Sequence, residues 1–308
     1  HSDLRRQRQM CIRDSSAAMA MLSPVFLSVN NLFNIILATA TFGVLAIGAT
    51  FVISSAGLDL SLGSVLGLSS VVGAALVVTL EWPWYFAILG SLFAGTMAGA
   101  VNGFIVTRGL VPAFIVTLGM LGIARGLALI ISDGRGIYGL PNEILFLGQA
   151  RPLGVPTPVF ILAIVAIISH YILAHTRFGH HTLALGDSEA AAKATGIDIS
   201  RQRMLLYMLS GLMAGIAGLI FTARVNTGDP TAGLNYELLA ITAAIIGGTN
   251  LFGGRGSILG TMIGALIMGV LQNGLNLLAV QAYYQQMAIG IVLIAAVWLD
   301  QVRDRRRS

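Results

Sequence analysis

The sequence predicts an all-α, polytopic membrane protein, and three observations predict it. Of its 308 residues 56% are hydrophobic and only 10% charged, where soluble domains carry about 25% charged residues; mean hydropathy is +0.84. The apolar residues fall in long runs, and about 20 apolar residues cross a hydrocarbon core about 30 Å thick as a helix. The eighteen Lys and Arg, which against thirteen acids leave a net charge of +5, gather at the chain ends and in the loops. That is the signature of topology, not of a nucleic-acid footprint.

The segments follow in order. Residues 1–16 are polar and basic, and the apolar stretch 17–22 is too short to span. Residues 32–57 form an uncharged first span. Residues 58–80 form a second, opened by DLSLGS. There Asp59 or Ser61 can cap a helix, or Asp59 can face a watery path, since ionisable groups near membrane depth are usually functional. EWPW at 81–84 is a turn with interfacial tryptophans. Residues 85–107, closed by Arg108, span again, and so do 110–132, which enclose Arg125 and so need a partner for it. Residues 133–158 are too rich in Gly and Pro to span, and 159–174 cross back.

A polar interruption then runs from 175 to 203, HTRFGHHTLALGDSEAAAKATGIDISRQR, with the chain's only Lys. Its middle reads as a short helix. Asp187 or Ser188 can cap it, Glu189 suits the positive N-terminal end, Ala190 to Ala192 are strong formers, and Gly196 suits the stop. Glu189 and Lys193 are spaced i,i+4 in the favourable order. A helix of roughly two turns is too short to stand alone in water, so it must dock. It is a contact element for a partner protein or a solvated loop with a helical turn. Residues 204–222 span, 238–249 are too short to cross unaided and are re-entrant or continued by their flanks, and 257–280 and 283–299 complete about eight to ten spans. The basic tail then places the 175–203 loop, Arg108 and Arg255 on the cytoplasmic side, with Arg135, Arg151 and Arg224 as exceptions.

Inside the spans the candidate path residues are Asp59, Asn102, Gln272, Asn273 and Asn276. Gln272 and Asn276 share one helical face, which can bind a neutral polyol or neighbouring helices. Gly95, Gly99 and Gly103, Gly122 and Gly126, Gly211 and Gly215, and Gly260 and Gly264 have the spacing of close helix packing. No catalytic constellation, cofactor motif or metal-ligand spacing is found. Lys193 lacks the glycine-rich lead-in of a nucleotide-binding loop, so any ATP is bound by another chain. An ATP-independent facilitator or a secondary transporter is the alternative. It needs no docking loop, and an ion-coupled one needs more embedded charge.

The stretches NNLFNI (30–35), SAGLDLSLGS (55–64), GLVPAFIVTLGML (109–121), RPLGVPTPVF (151–160), TRFGHHTLALGDSEAAAKATGI (176–197), 230–278 and YYQQM (283–287) together resemble the permease subunits of bacterial monosaccharide ABC importers, the ribose type most closely. The resemblance implies the ABC-importer permease fold, a multi-pass place in the inner membrane, and ribose-like cargo. Its implied partners are a cytoplasmic ATP-binding subunit, a periplasmic sugar-binding protein, a second permease subunit in a homo- or heterodimer, and membrane lipid, with no nucleic acid. It makes Gly186, Asp187, Glu189, Ala190, Ala191, Lys193 and Gly196 the ATPase-coupling loop. The implied organisation is an atypical segment 1–29 lacking the family's first span, a permease domain 30–302 and a basic cytoplasmic tail 303–308.

Overall fold

The structure, a computed structural model, describes residues 26–305; most of the atypical segment 1–29 lies outside it. The first helix, α1 (Val29–Ser54), is capped by Ser28, whose hydroxyl accepts from the Asn31 amide at 3.3 Å. It is apolar all round, and all its residues from Thr39 to Ser54 are buried. A helix hydrophobic on every side belongs in the centre of a bundle. Helix α2 (Leu62–Ala74) passes into a wider π-turn (Ala75–Thr79). Then come α3 (Tyr85–Arg108), α4 (Ala113–Ile131), a short α5 (Asn142–Gln149) and α6 (Thr157–His175). Two small helices, α7 (Arg177–Asp187) and α8 (Glu189–Ala194), precede α9 (Ile199–Val225), α10 (Tyr236–Ile246), α11 (Ile258–Leu277) and α12 (Ala282–Arg305).

Among the described residues seven helices are long and apolar enough to cross a membrane, against the eight to ten expected, and α10 and part of α12 are shorter apolar helices. The spacing of small residues does what membrane packing requires, because lipid offers no hydrophobic drive between helices and close backbone approach must supply the attraction. A Cβ on Gly95 or Gly99 of α3 would collide with the backbone of α9 at Gly211 or Tyr207, and one on Gly264 with Ala243 of α10. Gly122 and Gly126 differ: their faces on α4 are open.

Two expectations need correction. The span expected over 58–80 is broken at its start, because 55–61 are non-helical and Ala56 has φ +60. The segment is held by tertiary bonds: Tyr207 Oη donates to the Leu58 carbonyl at 3.3 Å. The 133–158 stretch, rightly excluded as a span, is not plain loop. It carries α5, a 3-10 turn (Pro152–Gly154) and the strand β1 (Ile137–Tyr138), which pairs antiparallel with β2 (Thr227–Gly228).

Candidate functional site

The polar interruption folds as three successive helix starts, each with its own side-chain cap. Thr176 accepts from the Gly179 amide at 3.3 Å, Ser188 from Ala191 at 3.3 Å, and Asp198 from Arg201 at 2.9 Å. Such caps satisfy amides that a helix start leaves without partners. Helix α8 therefore begins at Glu189, and the chain leaves it through Gly196 at φ +84, where the Ile197 amide returns to the Ala192 carbonyl at 3.2 Å. Helix α7 was not foreseen. Its signal is Phe178, Thr182 and Leu185, spaced to share one face; Thr182 and Leu185 are buried, and Phe178 packs against the core.

The Glu189–Lys193 pair does not form. Glu189 instead meets Arg203 of α9 through both guanidinium nitrogens, at 2.6 and 3.3 Å. The planar fork of Arg matches a carboxylate as an ammonium cannot, and the bond ties α8 to the next long helix. Gln202 adds a buried tie, donating to Thr182 Oγ1 at 2.9 Å and to the Phe178 carbonyl at 3.0 Å. Gly186 sits where any Cβ would strike the Ser54 carbonyl and the Gly254 amide, and Gly254 N donates to that carbonyl at 3.0 Å. The end of α1, the 250–256 turn and α7 thus form one joint. Beyond it Asp187, Glu189, Ala190, Ala191, Lys193 and Gly196 stay exposed.

Asp59 makes no side-chain cap bond to α2. It is buried between α2 and α9, its Oδ1 accepting from Ser61 N at 3.0 Å and Ser61 Oγ at 2.6 Å, its Oδ2 from Ser210 Oγ at 2.7 Å. Asn102 Nδ2 donates to the same Ser61 hydroxyl at 3.0 Å. The network knots the non-helical segment to α3 and α9. Arg125, whose partner the sequence left open, donates to the carbonyls of Pro230 and Ala232, the latter at 3.0 Å.

Gln272, Asn273 and Asn276 come together with Asn34, Arg224 and Tyr236 around a cavity of about 350 Å³ in the half of the bundle away from the 175–203 helices. Two of the amides are engaged. Asn273 and Asn31 exchange bonds at 2.9 Å, and Asn276 Oδ1 accepts from Gln285 at 2.8 Å. Among the described residues Gln272 makes no such bond and is left facing the cavity. Arg224 and Tyr236, which the sequence reading did not place among the path candidates, belong to it too.

A many-spanning bundle with broken helices, a polar cavity and a docked, exposed pair of short helices defines a transport permease subunit. The family model described as branched-chain amino acid transport system / permease component matches residues 31–297, and the chain belongs to that family. It is the membrane subunit of an ABC-type importer, a class that works with a separate ATPase and a substrate-binding protein. The chain is 46% identical to the ribose import permease protein RbsC of Escherichia coli K12 over 292 residues, 94% of this chain and 91% of that one. It is 40% identical to the D-allose transport system permease protein AlsC of the same strain, covering 93% and 88%, and 36% identical to its L-arabinose transport system permease protein AraH, covering 94% and 88%. A solved chain of PsaBC from Streptococcus pneumoniae in complex with Fab shares the fold at TM-score 0.51 and 16% identity, covering 91% of this chain and 94% of that one.

Proposed function

We propose that the chain forms the translocation path for a neutral monosaccharide of the ribose type in an ATP-driven importer of the inner membrane. Its α7–α8 unit receives the movement of the cytoplasmic ATPase. The observation that carries this reading is the joint at Gly186: exposed helices rest on the end of the central helix α1, so a push on α8 reaches the bundle without passing through flexible chain. Asp187, Glu189, Ala190, Ala191, Lys193 and Gly196 are the contact surface, and Gly186 is the pivot. A periplasmic sugar-binding protein delivers cargo to the opposite face, where Gln272, with Asn273 and Asn276 beside it, offers hydroxyl contacts. Asp59 and Asn102 act as the lock between α2, α3 and α9. The relatives named for ribose, allose and arabinose support a neutral polyhydroxyl cargo, and a second permease subunit, identical or homologous, completes the importer.

The test is reconstitution in liposomes with the ATPase and the sugar-binding protein. Labelled ribose should enter only with ATP inside reach of the ATPase, ahead of allose and arabinose. Saturable entry through the permease alone would establish the facilitator alternative and overturn the coupling role of α8.

A further inference from the structure

Two helices of opposite direction begin at one place inside the membrane. Helix α2 starts at Leu62 and runs away from the α7–α8 unit; α10 starts at Tyr236 and runs toward the 250–256 turn that meets that unit. Their first turns meet, because a Cβ on Gly63 would collide with the Glu237 carboxylate and the Gly233 carbonyl. The depth is marked by α1: Tyr236 packs edge to face on Phe42, near the middle of that helix, with ring centroids 6.5 Å apart.

The chain reaches this point from α9 as residues 226–235, which are not helical. Left-handed residues Asn226 and Asn235 bracket the stretch. It descends along α2, where the Asp229 amide donates to Ser70 Oγ at 3.3 Å. Non-helical backbone at membrane depth is tolerated only where protein buries it or where it lines water. Pro230, Ala232 and Gly233 are buried, but Leu234 is 60% exposed and Thr231 is exposed as well. On the same side stand the charges that a lipid-facing surface excludes. Arg125 holds the carbonyls of Pro230 and Ala232, and one turn apart on α2 a Cβ on Gly67 would meet its Nη1 while one on Gly63 would meet the Glu237 carboxylate. The open faces of Gly122 and Gly126 leave room beside Arg125 on α4.

Glu237 is the unusual member. Among the described residues its carboxylate takes no hydrogen bond from another residue, and it is only partly buried. The positive ends of two helices offset its charge. Converging helix starts of this kind bind anionic cargo groups in transporters with broken helices; here they surround a carboxylate that the chain itself supplies.

We propose that this junction is the cargo-contact site at the membrane midplane, with Glu237 accepting hydrogen bonds from the hydroxyls of a polyhydroxyl cargo and Arg125 donating to them. It rests on the monosaccharide reading above. It lies across the 226–237 segment from the outer cavity, since Tyr236 faces the cavity and Glu237 faces α2. A hydroxyl is donor and acceptor at once, so an acid beside a base suits it without requiring net charge on the cargo.

The experiment uses the complete reconstituted importer with ribose and 2-deoxyribose as probes. Glu237→Gln keeps the shape and removes the charge. Ribose uptake per ATP hydrolysed should fall about tenfold, the scale of one charge-assisted hydrogen bond, and the preference for ribose over its deoxy analogue should shrink. ATP hydrolysis stimulated by the binding protein should stay within about twofold, because α8 is untouched. In a second arm Cys11, the only cysteine, is replaced by Ser and Leu234 by Cys. A water-soluble maleimide should label the new thiol, and ribose should slow the labelling. Unchanged coupling in Glu237→Gln, a parallel loss of uptake and hydrolysis, or an unreactive Leu234→Cys overturns the site. Wild-type importer that takes up no monosaccharide overturns the broader reading with it, whereas normal wild-type uptake beside an unaffected Glu237→Gln removes this site alone.

Discussion

The α7–α8 surface and the midplane junction are both built from helix starts, yet they hold their caps in opposite ways. At the α7–α8 surface each start is capped by a near neighbour in sequence: Thr176, Ser188 and Asp198 each accept from an amide three residues on. In the membrane, Ser61 at the head of α2 and Asn235 at the head of α10 make no side-chain cap bond. Distant residues stabilise the region instead: Ser210 reaches Asp59 across 151 positions and Arg125 reaches Ala232 across 107. Local capping lets the first unit take its helical form from its own segment, whereas the second takes its form only once distant helices are in place.

The largest effect should come from breaking the joint that links the two regions. Gly186→Val drives a side chain into backbone of α1 and of the 250–256 turn, where nothing yields cheaply. Overpacking of this kind costs about 1–3 kcal/mol or more. Uptake should be abolished while the bundle still inserts; membrane abundance by immunoblot and uptake in the same vesicles check it. Normal uptake would mean that the surface couples to the bundle by some other route.

Next comes Asp59→Ala, which tests whether the membrane region depends on remote ties. It strands the hydroxyls of Ser61 and Ser210 in a buried site, a loss of about 1–3 kcal/mol. The detergent-solubilised protein should melt several degrees lower, while the ATPase still copurifies in the cold. Loss of ATPase binding without loss of melting temperature would contradict the division between the regions.

The same contrast explains what was legible in the sequence. The spans were legible because each apolar run must satisfy its own backbone as a helix, and α8 was legible because Ser188 and Gly196 signal within a few residues. Helix α7 was hidden by its paired histidines and its glycines, although Phe178, Thr182 and Leu185 carried the face. The break at 55–61 was hidden because Leu58 and Leu60 continue the apolar run and only Ser210 and Tyr207, far along the chain, reveal that the segment is held open. Asp59 and Asn102 were visible as polar residues inside apolar runs, but the network that joins them through Ser61 to Ser210 of α9 was not, because its partners lie far along the chain. Glu237 was passed over because the segment around it reads as a loop until α2 is placed beside it.

A smaller effect is expected at Gly196, where a Cβ meets open space and the only obstacle is φ +84. Gly196→Val should cost roughly 1 kcal/mol or more of local strain, too little to unfold the protein, and should redirect the chain leaving α8. ATPase copurification and uptake should fall together several-fold with abundance unchanged. Gly196→Asn, which tolerates left-handed φ better, should recover part of both.

The smallest effect concerns the Glu189–Arg203 pair, and its sign separates two roles for the surface. Both side chains are partly exposed, at 54% and 32%, and exposed pairs contribute about 0.2–1 kcal/mol, less in high salt. If Glu189 serves by tying α8 to α9, Glu189→Ala and Arg203→Ala should lower ATPase copurification equally, and the double variant should be no worse than either. The exchange Glu189→Arg with Arg203→Glu should then restore coupling. If Glu189 instead touches the ATPase, Glu189→Ala alone should be harmful, the two changes should add, and the exchange should be worse than either, because it presents a cation where the partner meets an acid. A double-mutant cycle on copurification at two salt concentrations decides the matter. Coupling energy that vanishes in high salt, with rescue by the exchange, places the pair's work inside this chain. Additive losses that the exchange deepens place it at the partner's surface.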